Sequence, residues 1–379
     1  MSFNQNPLRP NSISGLRIAM VAPLYERIPP ARYGGTERVV SYLVEELVRR
    51  GHDVTLFATG DSKTAAKLIG ICPEGLNAAA RLADPVAYHF LQLGLVFQRA
   101  GEFDLIHSHC DFRALPFASF TSVPLLSTSH NRLDSPEAHA LVATYPQSMI
   151  SVLSESQRRQ LPVGRCIGVT YNGIPVDEFH FEPTSGEYLA FVGRLSPEKG
   201  PLDAIEVAEQ SGIPLKLAGR INHWEREYFE TQLRPRIRPP LIEFIGELDE
   251  QEKRDFLGRA KALLFPIKWP EPFGLTLVEA MATGTPVLAF PHGAVPELVK
   301  PGVSGYLCPD ADAMVQRVND LDRLDRQACR DWVAQHFSVQ AMVDRYETIY
   351  QQVAISRVSK VTGACAPPNQ SSHSKRRQR

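Results

Sequence analysis

A short apolar run, a loop, an amphipathic helix and another apolar run recur along this chain, and that alternation constrains the fold more than any other feature. Residues 16–22 (LRIAMVA) read as a buried strand, followed by a loop rich in Pro and Gly. A helix then runs from a cap at Thr36 to about Arg50, with Val39, Val40, Leu43, Val44, Leu47 and Val48 on one stripe. Gly51 stops it, and residues 53–58 form the next strand. A strand, a crossing helix and a second strand make parallel pairing the expected outcome. Further strands are expected at 103–109, 124–130, 149–153 and 166–170. The turn signal Asn172-Gly173-Ile174-Pro175 intervenes, and the pattern restarts at 188–192, 215–218, 242–245, 262–265, 286–289 and 305–308. The chain is therefore expected to be α/β, with two Rossmann-like doubly wound domains at 16–172 and 173–335. A helix over 336–356 carries Met342, Tyr346, Ile349 and Tyr350 near one face. Residues 1–15 read as a disordered arm and 357–379 as a disordered basic tail.

Composition narrows the possible partners. The net charge of −1 offers no electrostatic case for nucleic acid. No apolar stretch approaches the 18 residues of a membrane span, and the polar N-terminus lacks a signal core. Six cysteines (72, 110, 166, 308, 329 and 365) show no CxxC, which fits reduced thiols and a cytoplasmic location. The basic tail leaves room for a peripheral contact with an anionic membrane.

The stretch Glu271-Pro-Phe-Gly-Leu-Thr-Leu-Val-Glu279 carries the chemistry. Pro270 to Gly274 is loop, and a helix opens near Leu275 and stops before Gly284. Glu271 thus lies just before a helix start and Glu279 about one turn inside it. A helix start offers free N–H groups and the positive end of the dipole, which attract phosphate. Carboxylates beside such a site can accept hydrogen bonds from hydroxyls. A phosphate flanked by hydroxyls on both sides describes a sugar nucleotide. Upstream, Gly193-Arg194 ends a buried strand, and Ser196-Pro197 is expected to start a helix, with Lys199 inside it. A guanidinium fork and a point charge suit a diphosphate.

These two segments resemble the donor-site motifs of retaining glycosyltransferases of the GT-B fold, family 4, and the resemblance runs from about Leu16 to Val353. It implies two domains facing each other across a cleft, with the C-terminal helix returning to the first. It implies that Arg194 and Lys199 bind the donor diphosphate, that Glu271 contacts hydroxyls of the hexose and that Glu279 holds the ribose. Backbone N–H groups of Phe273, Gly274, Leu275 and Thr276 would reach sugar and phosphate. Gly34-Gly35 precedes a helix start, so a ligand can approach the backbone there; the resemblance places the donor phosphates opposite. Tyr33 and Arg32 stand where an acceptor can touch them. His130 falls at the carboxyl end of a strand, where open α/β sheets bind ligands, and the resemblance gives it a contact with the hexose near the reacting centre.

His107-Ser-His109-Cys-Asp111 matches most of an H-x-H-x-D-H metallohydrolase signature, but Phe112 occupies the final His position. The expectation is no metal, with His109 lining the cleft on the acceptor side and His107 structural. No G-x-G-x-x-G follows the first strand, which weakens an oxidoreductase. Paired carboxylates also serve glycosidases, yet a glycan hydrolase has no need of Arg194 and Lys199. The expected activity is metal- and cofactor-independent transfer of a hexose from a UDP- or GDP-sugar, UDP-glucose favoured, to an acceptor hydroxyl. The acceptor is open: a glycan, a natural product, a lipid or a small metabolite. The rivals are a sugar-nucleotide epimerase or phosphorylase-like enzyme, and a non-catalytic sugar-nucleotide-binding protein.

Overall fold

The structure is a computed structural model that describes residues 15–78 and 84–363, with side chains as far as residue 353. The first sheet has seven strands: β1 (Arg17–Val21), β2 (Asp53–Ala58), β3 (Lys67–Gly70), β4 (Leu105–Ser108), β5 (Leu125–Thr128), β6 (Met149–Val152) and β7 (Cys166–Val169). Their order is β3-β2-β1-β4-β5-β6-β7, with every pairing parallel. The second has six: β8 (Leu189–Val192), β9 (Leu215–Ala218), β10 (Ile242–Gly246), β11 (Ala262–Phe265), β12 (Val287–Ala289) and β13 (Gly305–Leu307). Their order is β10-β9-β8-β11-β12-β13, again all parallel.

Strand residues alternate between the two faces of a sheet, and both faces here are covered. Ile18 and Met20 of β1 pack with Val40, Leu43 and Leu47 of the helix Gly35–Arg49. Ala19 and Val21 pack on the other face with Leu93 and Val96 of the helix Pro85–Gln98. Each such Leu or Val contributes roughly 1.5–3 kcal/mol of burial. This two-sided burial is why the strands read as continuous apolar runs.

The long helix Val339–Gly363 returns to the first domain. Its Met342, Val343, Tyr346, Ile349 and Tyr350 join the cluster of Val40, Leu43 and Leu47. The Tyr346 hydroxyl donates to Thr128 at 3.3 Å, and the Tyr350 hydroxyl lies 2.8 Å from His107 Nδ1. Where the chain passes between domains the two crossings clasp: Ile174 N–H donates to the Phe337 carbonyl and Val339 N–H to the Ile174 carbonyl. Glu297 of the second domain accepts from Glu155 and Ser156 N–H, both at 2.7 Å, at the start of a short helix in the first.

Four expectations need correction. The helix after β1 starts at Gly35, and its cap is Gly34 (φ 137°), whose carbonyl takes the first helical bond from Arg38 N–H; Thr36 lies inside the first turn. Pro197 opens only a 3-10 turn, Pro197–Lys199, because Gly200 turns left-handed (φ 72°) and restarts the chain as the helix Pro201–Ser211. Edge strand β3 was unforeseen; its KLIG is short and half-exposed and lacks the apolar run that marked the others. The C-terminal helix continues to Gly363, past the start expected for the basic tail, because neither Gly nor Pro interrupts it earlier. The expected arm over 1–14 and the tail beyond 363 lie outside the described residues.

Candidate active site

In doubly wound sheets ligands bind beyond the carboxyl ends of the strands, where the strand order reverses. Those points are β1/β4 in the first sheet and β8/β11 in the second. The loops beyond them face each other and enclose a cleft of about 220 Å³. Arg194, Lys199, Glu271, Gly274, Leu275, Thr276 and Glu279 line it from the second domain. Arg32, Tyr33, Gly34, Gly35 and Arg38 line it from the first.

The E-x7-E segment folds as its chemistry suggests. Gly274 (φ 99°) caps the helix Leu275–Ala282, so the first-turn N–H groups of Leu275 and Thr276 lack partners inside the helix. Glu271 is pinned by its own backbone. Its carbonyl accepts from Ala294 N–H at 2.9 Å, and Gly293 lies so close that a Cβ there would sit 2.2 Å from Glu271 N. The Phe273 side chain is buried against Tyr171 and Phe337, so only its backbone can serve a ligand.

Four cations of the cleft, Lys199, Arg194, Lys253 and Arg38, are held by carboxylates, whereas Arg32 and Arg220 line it with no carboxylate partner among the described residues. Lys199 Nζ lies 2.6 Å from Glu271 Oε2, which also accepts from Trp269 Nε1 at 2.9 Å. Arg194 Nη1 donates to Glu225 Oε1 at 2.6 Å and Nη2 to Glu198 Oε1 at 2.9 Å. Glu279 is 1% exposed, and its carboxylate meets Lys253 Nζ at 2.7 Å. Lys253 also reaches Glu250 at 3.0 Å, and Glu250 meets Arg38 of the first domain at 3.1 Å. Arg38 in turn donates to the Pro30 and Arg32 carbonyls, which shapes the loop before Gly34. A chain of alternating charges thus joins the loop of one domain to Glu279 of the other.

Arg38, Lys253, Glu225 and Glu198 escaped the sequence reading. Lys253 lies in the charged helix Glu250–Gly258, which as sequence reads as a solvated face. A further residue, Glu37, is buried beside Gly34, and burial pushes its carboxyl up to about 7.

His130 stands apart from the cation group, in the loop after β5. Its Nε2 lies 2.8 Å from His109 Nδ1. His109 is buried, and neither it nor His130 is among the residues that line the 220 Å³ cavity, so His109 does not line the cleft as expected. His109 Nε2 has no partner among the described residues. An unpaired buried N–H is rarer than an unpaired lone pair. The tautomer that avoids one puts the His109 proton on Nδ1, donating to His130 Nε2, and the His130 proton on Nδ1. Burial lowers the pKa of both rings, that of His130 to about 4, so neither is charged at neutral pH.

The H-x-H-x-D residues are taken up by structure. His107 spends both nitrogens on Tyr350 and Thr128. Asp111 (φ 50°) accepts from His130 N–H at 3.1 Å and from Asn131 Nδ2 at 2.8 Å, bracing the His130 loop. Tyr33 is 49% exposed, and its ring lies 5.5 Å from the Arg220 guanidinium across the cleft.

Two parallel sheets with facing switch points and a ligand-sized cleft between them define the GT-B fold. Solved structures with this fold align over nearly the whole chain. Sucrose-phosphate synthase from Thermosynechococcus elongatus matches with TM-score 0.71 at 21% identity, covering 90% of this chain and all of that one. The Anabaena protein HepE, in complex with UDP and glucose, matches with TM-score 0.68 at 20% identity over 91% of this chain and all of its own. In sequence, the profile "Glycosyl transferases group 1" matches residues 176–335 and "Glycosyltransferase Family 4" residues 33–178. A glycogen synthase of Mycobacterium tuberculosis is 28% identical over 78% of this chain and 83% of its own. A phosphatidyl-myo-inositol mannosyltransferase of Mycobacterium leprae is 26% identical over 90% and 98%. The chain belongs to the group 1 glycosyltransferases.

Proposed function

We propose that the protein transfers a hexose from a nucleoside diphosphate sugar to an acceptor hydroxyl with retention of configuration at the anomeric carbon. The observation that carries this reading is that Arg194, Lys199, Glu271 and Glu279 line one cavity between the domains. A UDP-sugar is the favoured donor, with UDP-glucose first; the UDP and glucose bound by the Anabaena neighbour support that choice.

The chemical problem is charge. As the glycosidic bond breaks, the leaving diphosphate becomes more negative. Arg194, Lys199 and the helix start at Leu275–Thr276 are fixed opposite it, and such preorganised donors are worth roughly 3–4 kcal/mol each. These groups take the place that a divalent metal fills elsewhere. Glu279 accepts from the ribose hydroxyls and Glu271 from hexose hydroxyls. His130, with its proton on Nδ1, donates to the hexose near the reacting carbon. The acceptor attacks from the face the diphosphate leaves, and the leaving phosphate oxygen takes its proton. Glu271, held by Lys199 and Trp269, orients the sugar and does not attack it.

Hydrolysis of a panel of UDP- and GDP-sugars without acceptor, followed by mass analysis with candidate acceptors, tests the reading. Release of nucleoside diphosphate with addition of a hexose mass to an acceptor is expected, with the α-configuration of the donor kept. An epimerase would return an isomeric nucleotide sugar, and a binding protein would leave the whole panel intact.

A further inference from the structure

The first domain carries a second cavity, of about 340 Å³, within the size range of small-molecule sites. Its walls are apolar: Val86, Phe90 and Leu93 from the helix Pro85–Gln98, and Phe117 from the turn after β4. Val86 and Phe90 are each 62% exposed and form an apolar lip. A scatter of single exposed apolar residues is ordinary, but these border a concavity.

Two polar groups with unused hydrogen-bonding capacity line it, His89 and Arg113. His89 is 5% exposed, and its Nδ1 lies 2.6 Å from the Pro85 carbonyl. A carbonyl only accepts, so Nδ1 carries the proton and Nε2 is a lone pair. That Nε2 is buried and has no partner among the described residues. Arg113 gives one bond to the Tyr25 hydroxyl at 3.3 Å and a weak one to the Cys110 carbonyl, and its side chain is 44% exposed. A guanidinium has five donors, so several remain for an anion. Arg113 also lies 3.9 Å from Asp111, the carboxylate that braces the His130 backbone. The cavity therefore opens beside the support of the reaction-side histidine.

We propose that this cavity is the subsite for the apolar part of the acceptor, an amphipathic molecule with three features. An aromatic or hydrocarbon group fills the pocket, a hydroxyl or N–H donates to His89 Nε2, and an anionic group pairs with Arg113. The proposal rests on the transferase reading above. A bilayer surface fits less well, because acyl chains carry no donor for His89.

The probe 8-anilinonaphthalene-1-sulfonate has all three features: an aromatic body, an N–H and a sulfonate. Its fluorescence should report one site per chain. Phe90→Glu, at an exposed lip, should weaken binding 10-fold or more. His89→Phe should weaken it about 3- to 10-fold and Arg113→Gln about 10-fold, as expected for a neutral and a charge-assisted hydrogen bond. Octyl glucoside below its micellar concentration should displace the probe, and methyl glucoside should not. Weakening by Phe90→Glu alone would reduce the site to a nonspecific apolar patch and overturn the proposal. A loss of vesicle binding in Phe90→Glu with unchanged probe affinity would assign the face to a membrane and also overturn it. Native protein that hydrolyses UDP-glucose but binds no probe refutes the pocket and leaves the transferase reading standing. Native protein that binds the probe as described but cleaves no nucleotide sugar keeps the ligand site and refutes its acceptor role.

Discussion

Lys199→Ala separates a catalytic charge from a binding charge. The ammonium is 2.6 Å from Glu271 Oε2 and lies over the Trp269 ring at 5.2 Å. The ion pair is largely buried, with side chains 18% and 13% exposed, so removing Lys199 leaves Glu271 held by Trp269 alone and should destabilise the fold by roughly 1–3 kcal/mol. Its effect on the reaction should be larger. One unit charge about 4 Å from another at an effective dielectric near 20 is worth roughly 4 kcal/mol. The part that counts for rate is the increase as the diphosphate leaves, and removing one such donor costs about 10²–10³ in kcat. Donor KM should move by less than about 10-fold.

Lys199 also has a second possible route of action, through the position of Glu271. A double-mutant cycle with Glu271→Gln separates the two, since Trp269 Nε1 can still bond the amide oxygen. If Lys199 acts directly on the diphosphate, its removal should cost nearly as much kcat in the Glu271→Gln background as in the native one. Initial rates against UDP-glucose, with thermal unfolding as the control for folding, supply the data. A change confined to KM, or a Lys199→Ala effect that vanishes once Glu271 is neutral, would refute the reasoning.

Glu279→Gln should weaken donor binding about 10- to 100-fold while kcat changes little, because two charge-assisted ribose bonds become neutral ones; titration calorimetry with UDP reads this, and unaltered affinity sinks the ribose assignment. Gly35→Val should fold normally, since a Cβ at Gly35 meets nothing within 4 Å, yet should raise donor KM by crowding the cleft; a normal KM would place the ligand elsewhere. Glu37 supplies a pH test. Its folded pKa is raised from 4.5 to about 7, so the stability present below pH 4.5 is lost as pH climbs through 7, by roughly 3 kcal/mol. Glu37→Gln should therefore raise Tm relative to the native protein at pH 8 and leave it nearly unchanged at pH 4; an equal shift at both pH values would contradict the buried-carboxyl account.

What the sequence exposed, and what it hid, follows from the range of each interaction. The helix start at Leu275, the flanking Glu271 and Glu279, and the stop at Gly284 are set by residues within a few positions of each other. Local propensity and capping chemistry suffice for them. The β-α-β alternation is legible for the same reason, since strands buried on both faces must be apolar throughout. The Lys253–Glu279 pair spans 26 positions, Arg38–Glu250 joins two domains, and His109–His130 links the ends of two strands. Nothing local marks these. The H-x-H-x-D run shows the same limit: the sequence reads His107 as structural, but its partners Thr128 and Tyr350, the latter from the far end of the chain, are set by tertiary contacts.

The pairing of Arg194 and Lys199 with carboxylates bears on how a donor is recognised. Arg194 and Lys199 would otherwise be two like charges in a cavity with low-dielectric walls. Glu198, Glu225 and Glu271, three carboxylates against two cations, more than offset that charge and hold both side chains in place. At Arg194 and Lys199 a diphosphate entering the cleft does not meet free cations, although Arg32 and Arg220 line it without a carboxylate partner among the described residues. It exchanges one set of charge-assisted bonds for another, so the electrostatic gain in binding is modest. The gain grows only when the diphosphate carries more charge than the carboxylates it competes with, and that condition is met as the sugar departs. Cations compensated in this way bind the ground state weakly and favour the transition state, the differential that raises kcat. On this argument Glu198→Gln or Glu225→Gln, each of which removes one of the two carboxylates on Arg194, should tighten nucleotide binding without a matching rise in kcat; a matching rise in kcat would show that the carboxylates hinder the reaction.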